Sequence, residues 1–199
     1  MEPTAEALQP EAPQSPLQTL LQADATAFPA FWQNLQNQNV LLVGWGTGKL
    51  AESLLEKGNT VTCIEASADL ISKAREFTDT HPIHMIHADL ANAAEESGHA
   101  KFPVVITSLV AEPVRDLARF FKQVTSLLSL HGTFYISEIH PESAPPANHI
   151  HHEETVNLTA QQTGLDLERT EIFYGSSDLR ALTQMWEYHL ETESPPAEH

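Results

Sequence analysis

Three glycines stand at alternate positions in VGWGTGK: Gly44, Gly46 and Gly48 follow directly on the apolar run VLLV at 40–43. Glycine at every second position is costly in chain entropy, so such a loop belongs where the backbone turns sharply or approaches a ligand too closely for side chains. The run before it reads as a strand and the pattern after it as a helix, the setting in which a glycine loop cradles a ligand. Glu65 ends the next strand-like run, TVTCIE at 60–65. A carboxylate there can accept both hydroxyls of a ribose, a charged hydrogen-bond pair worth about 1.5–3 kcal/mol. Farther on, EIHPESAPPANHIHHEE carries His140, His149, His151 and His152. Imidazoles at that density suit substrate orientation or general-base work near neutral pH. They also suit zinc binding with Glu153 and Glu154, although neither a structural Cys/His spacing nor an HExxH helix is present and no metal is expected. The third reading is a solvated polar loop whose carboxylates favour a helix start.

The elements that must position these residues alternate between strand and helix, which predicts an α/β fold with a parallel sheet. One or two amphipathic helices, broken near Pro29, are expected in the flank 17–36, from Leu17, Leu20, Leu21, Phe28, Phe31, Trp32 and Leu35. Strands are expected at 40–43, 60–65, 83–88, 103–109, 133–139, about 167–174 and about 183–190. Helices are expected at about 48–57 before Gly58, from Ser67 to about Phe77, at 113–129 and at 153–163 before Gly164. HisGly at 131 and 132 is taken to stop the long helix. The last two strands are separated by about eight residues. That is too few for a parallel crossover, so they should pair antiparallel as a C-terminal hairpin.

With 199 residues the chain has room for one domain, assigned to 17–190, between tails at 1–16 and 191–199 whose composition reads as disordered. Ten basic against 27 acidic residues give a formal charge of −17, which argues against nucleic acid as a partner. No basic, apolar leader or membrane-length apolar run is present, so a cytoplasmic protein without a membrane partner is expected. Cys63 stands alone in an apolar run and is expected to be inert core.

A dinucleotide fingerprint wants glycine at the first, third and sixth positions, but here the sixth is Lys49 and the third glycine has moved to Gly48. With the G-x-G-x-G loop and the expected strand order, residues 28–190 resemble the class I S-adenosylmethionine-dependent methyltransferases, most closely the small-molecule type 11. The resemblance implies a doubly wound, mostly parallel seven-stranded sheet and S-adenosyl-L-methionine as cofactor. It assigns Gly44, Gly46, Gly48 and Glu65 to the cofactor, and likewise Asp89 and Leu90, after the third strand, toward the adenine; Asp89 reads otherwise as a solvated-loop or helix-capping acid. Thr107, Ser108 and Leu109 would line the methyl-transfer site. Some type 11 relatives also end a strand in Glu-x-His-Pro and carry a later His pair, which makes Glu138, His140, His151 and His152 the acceptor-side candidates. No N-P-P-Y motif of nucleic-acid and protein amino-group modifiers is present. Glu112 before Pro113 reads either as a helix-start carboxylate or as catalytic. Phe28, Phe31 and Trp32 read either as a lid or as packing.

Two departures stand out. Leu42 replaces an acid common in the first strand of relatives, and Trp45 replaces a small residue, so a narrower or differently shaped loop mouth is expected. The implied function is methyl transfer to a small-molecule acceptor. A catalytically silent binding or regulatory partner of the same fold is the alternative, and a nicotinamide oxidoreductase is disfavoured by Lys49 and the hairpin.

Overall fold

The computed structural model describes residues 16–111, 114–143, 151–174 and 181–191. Glu112, Pro113, His149 and most of both expected tails lie outside the described residues. Seven strands form one sheet: β1 (Asn39–Val43), β2 (Thr60–Glu65), β3 (Ile83–His87), β4 (Phe102–Ser108), β5 (Leu128–Ile139), β6 (Leu165–Tyr174) and β7 (Ala181–Leu190). Their order is β3-β2-β1-β4-β5-β7-β6. The first five pair in parallel, while β7 runs antiparallel to both β5 and β6. The return from β6 is too short for a parallel crossover, so β7 pairs antiparallel with β6, and it lies between β6 and β5. The expected doubly wound sheet with a C-terminal hairpin is therefore present.

Six helices cover the two faces: α1 (Pro16–Phe31), α2 (Lys49–Glu56), α3 (Ala68–Thr78), α4 (Ala93–Glu96), α5 (Leu117–Thr125) and α6 (Glu153–Gln161). Strand alternation sorts the core between them. Val40 and Leu42 join Phe28, Trp32, Leu54 and Ala74 on the α1–α3 side. Leu41 and Val43 join Ala93, Phe121, Val124 and Val156 on the α4–α6 side. Leu42 is thus a fully buried core residue, and its apolar side chain fits the layer it faces. Cys63 is also fully buried, and burial pushes its thiol up to about 12, which leaves it unreactive.

Several element boundaries differ from expectation. The helix expected over 113–129 is the nine-residue α5, because the Asp116 carboxylate accepts from the Arg119 N–H at 2.9 Å and caps it there. Val114 instead turns back, donating its N–H to Ala111 O at 2.8 Å, and Leu128 already belongs to β5. Val114 and Leu128 face the same core from a turn and a strand, so the helical spacing ran past both ends of the helix. His131 (φ 61) and Gly132 lie within β5, where the register with β4 shifts between Phe102 and Val104, rather than ending a helix. α1 runs unbroken to Phe31 because Pro29 falls in its last turn, just before the helix ends anyway. The short α4 was not anticipated.

Candidate functional site

The strand order reverses between β1 and β4, and in open parallel sheets the crevice beyond that reversal receives ligands. Gly44, Gly46 and Gly48 form its floor, all in left-handed conformations with φ of 89, 57 and 81. They have different duties. A side chain on Gly48 would overlap the Trp45 indole at 2.7 Å, and one on Gly44 would crowd Val110 at 3.3 Å. At Gly46 a Cβ would meet nothing within 4 Å, so its bare backbone faces open space. The Trp45 indole turns inward, 5.7 Å from the Phe77 ring and only 6% exposed. Its bulk is absorbed by the layer beneath the loop.

Glu65 lies across from this loop at the end of β2. One carboxylate oxygen accepts the Trp45 N–H at 2.8 Å and the other accepts the Ser67 N–H at 2.7 Å. The side chain therefore locks the glycine loop to the start of α3, whose cap is Ser67 accepting from the Leu70 N–H. Each oxygen keeps a lone pair, so a diol could still be accepted. Asp89 is exposed beyond β3, with one oxygen accepting from the Asn92 backbone N–H at 2.9 Å and side-chain amide at 3.0 Å. Leu90 is half-buried against the core beside it. Thr107, one residue before the end of β4, is fully buried, and its hydroxyl has no hydrogen-bond partner among the described residues.

A second group of polar residues gathers at the ends of β4, β5 and β7. α1 crosses the crevice here: Lys49 Nζ donates to Gln22 Oε1 at 3.2 Å on the glycine-loop side, and Ser108 Oγ donates to Asp24 Oδ2 at 2.6 Å on the β4 side. Asp24 is 1% exposed, and among the described residues no hydrogen-bond donor is seated on its other oxygen, with the Ser137 hydroxyl nearby. Burial holds its carboxyl above the ordinary 3.8, an effect that the Ser108 and Ser137 hydroxyls partly oppose. Asp24 went unnoticed in the sequence. The available signal was an acid on the apolar stripe it shares with Leu20, Ala27 and Phe28.

On the other face of the sheet Glu138 is buried, with one oxygen 3.3 Å from His151 Nδ1. His151 Nε2 lies 2.9 Å from Val114 O. A carbonyl only accepts, so Nε2 carries a hydrogen and Nδ1 is the nitrogen that exchanges a proton with Glu138. Burial raises the Glu138 carboxyl, the His151 contact lowers it, and the charge of Asp24 raises it again. His152, by contrast, is exposed at the start of α6 and caps nothing with its ring. His140 is half-buried, its Nδ1 accepting the Glu142 N–H at 3.3 Å. The structure thus brings His151 and Glu138 together and leaves His152 apart. Phe28, Phe31 and Trp32 pack as core in contact with one another. Among the described residues no three His, Cys, Asp or Glu side chains are grouped to hold a metal ion.

Residues 41–136 match the family model of a methyltransferase domain, a span that runs from β1 through the glycine loop, Glu65 and β4 into β5. That stretch, just under half of the chain, is similar to a methyltransferase domain. An uncharacterized methyltransferase of Mycobacterium tuberculosis is 28% identical over 102 residues, 51% of this chain and 51% of the relative. The ubiquinone biosynthesis O-methyltransferase of Pelagibacter ubique is 28% identical over 105 residues, 53% of this chain and 43% of the relative. The chain therefore spans about half the length of the curated relatives it matches. Among solved structures, an S-adenosylmethionine dependent methyltransferase from Mesorhizobium loti superposes with a TM-score of 0.70 at 19% identity, covering 84% of this chain and 97% of that one. The chain thus shares the fold of that methyltransferase, the one its glycine loop and hairpin implied.

Proposed function

We propose that this chain binds S-adenosyl-L-methionine in the crevice between β1 and β4 and passes its methyl group to a small-molecule acceptor. The observation that carries the reading is the loop itself. Three left-handed glycines, one of them facing open space, lie beside a buried carboxylate that retains free lone pairs. Gly44, Gly46 and Gly48 would meet the cofactor through backbone, Glu65 would accept its ribose hydroxyls, and Asp89 and Leu90 would flank the adenine, with Thr107 at the methyl end. When bound, the cofactor supplies an electrophilic methyl group on a sulfonium, and catalysis is then largely a matter of placing the acceptor in line.

The acceptor side is proposed at the strand ends occupied by Glu138, His140, His151 and His152. Glu138 is the group best situated to take a proton from the acceptor, because the hydrogen-bonded His151 can receive it at Nδ1. His140 and His152 are kept as candidates for orienting the acceptor at the crevice edge. Titration calorimetry with S-adenosylhomocysteine tests the core of the proposal. Wild type should bind at micromolar concentrations, and Gly46→Val should abolish binding by filling the open space at the loop. Silence of the wild type at millimolar ligand would sink the reading.

A further inference from the structure

Asp24 is a buried carboxylate with an unused oxygen, in a helix that bridges the two lips of the crevice. Leaving such a group bare is unfavourable, so native proteins seldom do it without a ligand, water or ion to receive. Among the described residues Asp24 has no cationic partner, and the nearby Lys49 ammonium is directed to Gln22. Asp24 is not isolated in this respect. Two neutral hydroxyls at adjoining strand ends are also buried: Ser137 Oγ beside the Asp24 carboxylate, and Thr107 Oγ1 with no hydrogen-bond partner among the described residues. The Ser108 contact fixes the Asp24 carboxylate over the end of β4, and Ser108 and Ser137 are register neighbours there.

These positions give the crevice a direction. Glu65 and Asp89 gather beyond β2 and β3, where the adenosine end is proposed to lie. The amino-acid end of the same ligand must then run toward β4. That end carries an ammonium, which in a closed crevice needs a counter-charge. The geometry points to Asp24 on α1 as the carboxylate that receives the α-ammonium of the cofactor, so that the helix closes on the amino-acid end as an ion-pairing cover. The inference rests on the proposed cofactor reading. It adds a residue of α1 to a site otherwise built from strand ends and the glycine loop.

Calorimetry on the full chain separates the two. The probes are S-adenosylhomocysteine and its deamino analogue, which has the same adenosine and carboxylate but no amino group. Wild type should prefer the first by about tenfold or more, as expected for loss of a charged hydrogen bond. Asp24→Asn should erase that preference while its affinity for the deamino analogue stays within about twofold of wild type. Ser108→Ala, which frees the carboxylate from its anchor, should reduce the preference in the same selective manner and serves if the Asp24 variant fails to fold. A wild-type preference that survives Asp24→Asn or Ser108→Ala intact, or an equal loss for both ligands, would overturn the inference. Wild-type failure to bind S-adenosylhomocysteine would instead overturn the cofactor reading beneath it.

Discussion

Glu65 is tied on both oxygens by backbone N–H groups, so its removal breaks more than a ligand contact. Glu65→Ala should leave two donors without partners and cost about 1–3 kcal/mol for each one that water cannot reach. Calorimetric unfolding of the ligand-free protein should therefore show a lowered midpoint alongside the weaker binding. The glycines should separate in the same experiment. Gly46→Ala should cost about 1 kcal/mol, the penalty for a side chain at its positive φ, because it meets no neighbour. Gly48→Ala should cost more, since it collides with Trp45, and shrinking Trp45 to Leu should recover part of the difference. Asp24 makes a prediction about pH. Its carboxyl is raised in the folded protein, so the folded state holds the proton more tightly than the unfolded one, and stability falls as pH rises above the ordinary 3.8 through the raised value. The stability of Asp24→Asn relative to wild type should thus increase from pH 4 to pH 8 without ligand, and a flat difference would contradict the assignment. The placement of the glycine loop and of Glu65 was legible in the sequence because it follows from local order along the chain. Asp24 was not, because its partner Ser108 is 84 positions away and only the docking of α1 brings them together.

At the scale of elements, α1 is the piece whose placement decides access. Its C-terminal end is held by Arg169 of β6, whose guanidinium lies 4.0 Å over the Phe31 ring and donates to Phe31 O, while also pairing with Glu187 at 3.2 Å. A cation at a helix C-terminus stabilises the last carbonyls and the helix dipole, and a cation over an aromatic face adds to it. Arg169→Ala should cost about 1–2 kcal/mol and speed amide exchange over the last turns of α1, through Asp24 to Phe31, more than in β1 or β4. Uniform exchange across the molecule would show that Arg169 does not hold the helix. The sequence was informative about most elements for the same reason it was misleading about α5. Apolar spacing reports which residues face the core, and strands, turns and helices can all supply that face. Val114, Leu128 and the α5 residues share one cluster, so periodicity alone could not place the ends of the helix. The antiparallel pairing of β6 with β7 follows from their short connection, which is visible as length, whereas the place of β7 beside β5 is not.

For the whole molecule, the dominant long-range fact is the charge of −17 and a sequence pI of about 4.8. Such a field repels phosphate backbones, so labelled RNA or DNA should show no micromolar binding at physiological salt. Binding that weakened steeply with added salt would reveal a basic surface. The same field acts on the fold. Ion pairs among the described residues are few, gathered on Arg169, Glu187 and the His151–Glu138 contact, and the Arg169 and Glu171 side chains are well exposed. Exposed pairs are each worth little, about 0–1 kcal/mol, whereas repulsion among 27 acidic residues is shared by the entire surface. Raising sodium chloride from about 10 mM to 150 mM shortens the screening length from about 30 Å to about 8 Å and weakens both. Because repulsion is the larger of the two here, the unfolding midpoint should rise with salt over that range. A midpoint that fell with salt would mean that specific ion pairs outweigh the net charge, with the Arg169 cluster as the first to test by substitution.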